Sequence, residues 1–144
     1  MSIWVTIRLS KSGHQKLPAE LDPTAESLVY GQGLPYASDD LDALASEAGV
    51  RPISEFFDDS AMLSDEEYEQ EGLQKPPQKW FAVADGLRTV DALIASLEHR
   101  DEPGALGHGI RRSSVDAILW DLRASRLILG KAAATDEQFQ YDVG

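Results

Sequence analysis

The sequence predicts a small α+β domain: a short sheet containing the N- and C-terminal strands, packed with about four helices on one face. Three observations carry this. Apolar residues alternate near both ends of the chain, apolar residues recur at helical spacing between them, and the order is strand, helices, strand. At 144 residues, the whole chain from 1 to 144 reads as a single acidic globular domain. A chain of this size buries enough surface to fold without a disulfide or structural metal.

The first strand is "IWVTIRL". Ile3, Val5, Ile7 and Leu9 alternate with Trp4, Thr6 and Arg8, the period of a half-buried strand. This segment has no continuous apolar core of the kind a signal peptide needs. "KSGHQKLP" is turn-like, and "GQGLP" at 31–35 interrupts regular structure. "SDDLDALASEAG" (Ser38–Gly49) is a helix with Leu41, Leu44, Ala45 and Ala48 on one face. Ser38 or Asp39 is the expected cap, and Gly49 suits the C′ position. Arg51-Pro52 stops this helix, and "ISEFF" (Ile53–Phe57) reads as an anchor in the core.

"LSDEEYEQEG" (Leu63–Gly72) carries the signals of a short helix. Ser64 and Glu67 have capping-box spacing, and Leu63 and Tyr68 sit where a hydrophobic staple forms. "QKPPQK" (Gln74–Lys79) reads as an extended linker. "DGLRTVDALIASLEHR" (Asp85–Arg100) is the strongest helix, with Leu87, Val90, Leu93, Ile94 and Leu97 in one stripe and Asp85 as its cap. A glycine-rich loop spans Asp101–Gly109. A longer helix starts at Ser113 or Ser114 and ends near Ala133, with Val115, Ile118, Leu119, Leu122 and Leu129 inward. Phe139–Val143 closes the sheet.

Charge is unevenly placed. The net charge is −12, yet the segment Glu20–Glu71 holds fifteen acidic residues against a single basic one, Arg51. Such a field repels nucleic acid and anionic lipid and attracts basic protein surfaces. No apolar run reaches the length of a spanning helix, and the expected compartment is the cytoplasm.

Chemistry-bearing patterns are sparse. With no cysteine, thiolate metal sites and cysteine nucleophiles are excluded. His14, His99 and His108 lack ligand spacing, and the acidic run lacks the calcium-loop pattern, so no metal and no cofactor is expected. No serine occupies a nucleophile elbow, and no glycine run matches a nucleotide-binding loop. No catalytic residue is therefore assigned. The alternative reading is a small hydrolase or metal-dependent binder using Asp/Glu with His99 or His108. Arg111-Arg112, just before a helix start, needs a compensating partner: an anion ligand or, as the favoured expectation, the chain's own acidic segment.

The favoured reading is a protein-binding module whose partner is basic. Its contact residues are Asp58, Asp59, Asp65, Glu66, Glu69 and Glu71, with Tyr68 or Trp120 as the aromatic anchor. Trp120 and Leu127, projecting opposite the inward stripe of the last helix, are apolar anchors. Trp4 and Trp80 read as core.

"WFAVADGLRTVDALIASL" (Trp80–Leu97) resembles a segment of small uncharacterised bacterial proteins with a Trp-Phe, four-residue gap, Gly-Leu-x-Thr-Val pattern. The matching residues are Trp80, Phe81, Gly86, Leu87, Thr89 and Val90; Ala82 and Val83 stand where that group carries an Asp-Pro-like pair. Leu41–Phe57 and the "FQYDVG" end are similar too, so the resemblance covers more than half the chain. It implies a bacterial origin. It implies little about activity; an immunity or toxin-neutralising role is drawn only by analogy with small acidic bacterial proteins.

Overall fold

The computed structural model describes residues 5–15, 34, 37–60, 63–74, 77–98 and 112–143, the side chains of 112–117 excepted. Strands β1 (Val5–Leu9) and β2 (Gly13–His14) form a hairpin. They are followed by helix α1 (Ser38–Ala48), a 3₁₀ turn (Ile53–Phe56), β3 (Phe57–Asp58), helix α2 (Asp65–Gln70) and β4 (Phe81–Ala82). Helices α3 (Val83–Glu98) and α4 (Arg112–Ala132) precede β5 (Gln138–Val143). Among the described residues the strands make one mixed sheet of five, ordered β2-β1-β5-β3 with β4 also paired to β5. This is the predicted α+β class, with the N- and C-terminal strands adjacent.

β5 is the hub. It runs antiparallel to β1 and β4 and parallel to β3. The register pairs Val5 with Val143, Ile7 with Tyr141 and Leu9 with Phe139. Paired residues share a face, so all six apolar side chains point the same way and are buried. The intervening pairs, Thr6 with Asp142 and Arg8 with Gln140, make the opposite face polar.

The apolar face packs against the helices through an aromatic cluster. Phe139 lies 5.3 Å from Phe56 and 5.8 Å from Tyr141, centroid to centroid, and Phe81 meets Phe56 edge-on at 5.3 Å. Here α3 meets β5 through Gly86 and Phe139. A Cβ on Gly86 would lie 2.3 Å from the Phe139 ring, so only glycine allows this approach. Val90, Leu93, Ile94 and Leu97 continue the buried stripe of α3, and Thr89 Oγ1 donates to the Arg51 carbonyl at 2.8 Å.

Local rules set the helix ends. α1 stops at Gly49 (φ 73°), where the Val50 amide reaches the Ala45 carbonyl at 3.0 Å. Its start differs from expectation: the cap is Ala37, without a side-chain hydrogen bond, and Ser38 is already helical. α3 likewise begins at Val83, ahead of Asp85. The helix runs directly out of β4 and gains a turn, leaving Asp85 within it to face Arg51 and Arg88 at 3.8 Å each.

A carboxylate ties neighbouring strands together at one end of the sheet. Glu137 Oε1 accepts from the amides of Lys11 and Ser12 at 2.8 and 2.7 Å, while Oε2 lies 3.0 Å from Ser12 Oγ and 2.9 Å from Thr135 Oγ1. The β1–β2 turn is thereby tied to the entry of β5. Among the described residues no helix is long and apolar enough to cross a membrane.

Replacing Gly86 with Ala pushes a methyl into the Phe139 ring. The expected loss is about 1–3 kcal/mol, read as a lower denaturant midpoint. An unchanged midpoint would mean that the ring has room to move.

Candidate protein-binding surface

The acidic run builds an ordered element. Ser64 Oγ accepts from the Glu67 amide at 3.1 Å, and the Glu67 carboxylate accepts from the Ser64 amide at 3.3 Å, completing the predicted capping box. Gly72 adopts a left-handed φ of 67°, which lets the Leu73 amide reach the Tyr68 carbonyl at 2.8 Å and the Gly72 amide reach that of Glu69 at 3.1 Å. Three acidic side chains in the first turn, Asp65, Glu66 and Glu67, sit at the positive end of the helix dipole. Both ends of this short helix are therefore closed locally. Leu63 and Tyr68, the predicted staple pair, are each half-buried.

None of the residues of α2 is buried. Asp59, Glu66, Glu69 and Glu71 are exposed, and among the described residues they make no salt bridge. Asp65 is exposed as well. Arg51, the one base in the acidic segment, is committed elsewhere. Its guanidinium lies 2.6 Å from Glu55 and 5.3 Å above each of the Phe56 and Phe81 rings. Other carboxylates of the segment serve the fold: Asp42 accepts from the Ser54 amide at 3.1 Å and from its hydroxyl.

Asp58 departs from the expected outward patch. It is only 3% exposed. Oδ1 accepts from the Ser60 amide at 2.8 Å; Oδ2 accepts from the Lys79 amide at 2.6 Å and from Gln140 Nε2 at 3.1 Å. The reason is register. β3 lies parallel to β5 with Asp58 beside Asp142, so Asp58 points onto the polar sheet face next to Gln140. Burial pushes its carboxyl up, but hydrogen bonds from Ser60 and the Lys79 amide, with the Lys79 charge, outweigh it, and the result lies below the ordinary value. Glu137 follows the same balance, with burial overcome by donors from Thr135, Lys11 and Ser12.

The two apolar anchors differ. Trp120 is 39% exposed on α4, and Leu127 is half-buried. The next residue, Ile128, is buried instead. Trp80 is half-buried rather than core: it covers the polar sheet face, with the Arg8 guanidinium 5.8 Å from its ring centre. On that face His14 Nε2 lies 2.5 Å from Asp142 Oδ2. Sequence reading missed this contact, because only the β1–β2 and β1–β5 registers bring the two residues together. No group of three or more potential metal-ligating side chains occurs among the described residues. His99, His108, Arg111 and Trp4 lie outside the described residues, as does the side chain of Arg112.

No family model, curated protein or solved structure matches this chain.

Two outcomes are expected. Asp58 and Glu137 hold their protons less tightly when folded, so their contribution to stability is full above about pH 4–4.5 and is lost as pH falls through their depressed folded values. Denaturant midpoints between pH 7 and pH 3 should drop, and the Asp58→Asn/Glu137→Gln double variant should flatten that drop. Trp120→Ala should cost clearly less in thermal melts than the about 3–5 kcal/mol of truncating a fully buried Trp, since the ring stands partly in solvent; a loss in that range would place it in the core.

Proposed function

We propose that this chain is a non-enzymatic binding module that captures a basic protein partner through the acidic surface around α2. One observation carries the reading. Asp59, Glu66, Glu69 and Glu71 stand exposed beside a helix capped at both ends, without a salt bridge among the described residues, while the segment's single arginine is held by Glu55 and the Phe56 and Phe81 rings. Carboxylates displayed in this way steer a positively charged surface into register, and the order of the helix lowers the entropy lost on docking.

Tyr68 offers a half-buried ring within the acidic surface, and Trp120 a partly exposed one on α4. Aromatic side chains of this kind anchor interfaces that charge alone would leave weak. The partner class that fits is a protein whose own working surface is basic, such as the nucleic-acid cleft of a nuclease. The resemblance to small bacterial proteins makes an immunity or toxin-neutralising role the specific form of this reading. In that form the acidic surface replaces the nucleic acid in the partner's cleft.

The test is capture from a native lysate at low and high salt, comparing the wild type with an Asp59/Glu66/Glu69/Glu71→Lys variant. The wild type should retain a basic protein at low salt and release it as salt rises. The variant should bind that protein at least about tenfold more weakly. Equal capture by both, or capture indifferent to salt, would overturn the electrostatic reading.

A further inference from the structure

The chain leaves the sheet at β3 and returns at β4, and the acidic helix lies between. A single carboxylate joins the points of departure and return. Asp58 Oδ1 holds the Ser60 amide on the outgoing side, and Oδ2 holds the Lys79 amide on the returning side. Gln140 of β5 locks the pair from beneath: its Nε2 donates to Asp58 Oδ2 at 3.1 Å and to the Lys79 carbonyl at 2.9 Å.

Beyond this junction the character of the chain changes. Among residues 63–74 and 77–79 none is buried; Leu63 and Tyr68 are half-buried, and Leu73 is 55% exposed. The helix satisfies its own ends through its capping box and the Gly72 turn. A tie from α2 goes to the junction itself, the Tyr68 hydroxyl donating to the Ser60 carbonyl at 3.2 Å. A segment with little buried apolar surface, tied at its base among the described contacts by polar groups, opens at far smaller cost than the core.

We infer that the described residues 63–74 and 77–78 form an arm that opens as a unit independently of the sheet, and that Asp58 is the clasp holding it down. Asp58 is thus a positioning residue: it sets how long Glu66, Glu69 and Glu71 are presented together without being on the surface itself. The link to presentation rests on the binding reading above; the opening itself does not.

Native-state hydrogen exchange on the free, full chain at increasing denaturant tests the inference. In the wild type, the Tyr68, Leu73 and Lys79 amides should exchange through an opening nearly insensitive to denaturant, well before the β1–β5 ladder. Asp58→Asn sets an amide NH2 against either the Ser60 amide or the Lys79 and Gln140 donors, so one side of the clasp is lost in either orientation. It should speed the exchange of those three amides by about tenfold or more, with a much smaller change in the ladder. Tyr68→Phe, which removes the second tie to the junction, should speed the same three amides by a smaller factor and leave the ladder unchanged.

If the arm and ladder amides of the wild type share one denaturant-dependent opening, the arm is part of the core unit and the inference fails. It also fails if Asp58→Asn speeds all elements equally. Neither result depends on a partner, so loss of this inference leaves the binding reading to its own test.

Discussion

The structure depends on the approach of α3 to β5 at Gly86. The Phe139 ring occupies the space that any larger residue at 86 would need. That ring also meets Phe56 and Tyr141, so one close contact joins the strongest helix, the 3₁₀ turn and the central strand. The remaining core follows from this alignment: with α3 seated on the sheet, Val90, Leu93, Ile94 and Leu97 become buried. The Gly-Leu-x-Thr-Val stretch acquires a physical meaning as well. Gly86 permits the approach, Thr89 bonds the Arg51 carbonyl, and Val90 fills the core.

The acidic residues divide by task. Asp58, Asp42 and Glu67 accept backbone amides and hold local geometry. Glu55 and Asp85 face Arg51 and keep its charge at the base of the aromatic cluster. Asp59, Glu66, Glu69 and Glu71 have no such duty among the described contacts, and they lie together on or beside α2. The division matters because a high negative charge by itself repels the compact state. Carboxylates bound to amides offset that repulsion, whereas those on the arm leave it to solvent and salt.

Much of the fold was legible in the sequence because its signals are local. Alternation identified β1 and β5, and helical spacing identified α1, α3 and α4. Residues Ser64, Glu67 and Gly72 marked α2 down to its caps. What stayed hidden is non-local. β2 and β4 are two-residue strands, too short for a period to show, and β3 read as an apolar anchor. The start of α1 was misplaced because Ser38 and Asp39 are good caps wherever they occur, while Ala37 gives no signal. The acidic surface was legible for the same local reasons, but the role of Asp58 was not. Its neighbours Lys79 and Gln140 are distant in sequence, and only the parallel β3–β5 register turns it inward.

The position of β5 has a consequence for synthesis. β1, β3 and β4 all pair with it, and it follows every one of them in the chain. Ser10 and Gln138, which bond each other in both directions, are 128 residues apart. On the ribosome the helices emerge with their apolar stripes bare, and the shared strand that completes the sheet arrives only after them. During that interval the nascent chain exposes surface that invites chaperones, and ring closure across so long a loop slows the final collapse.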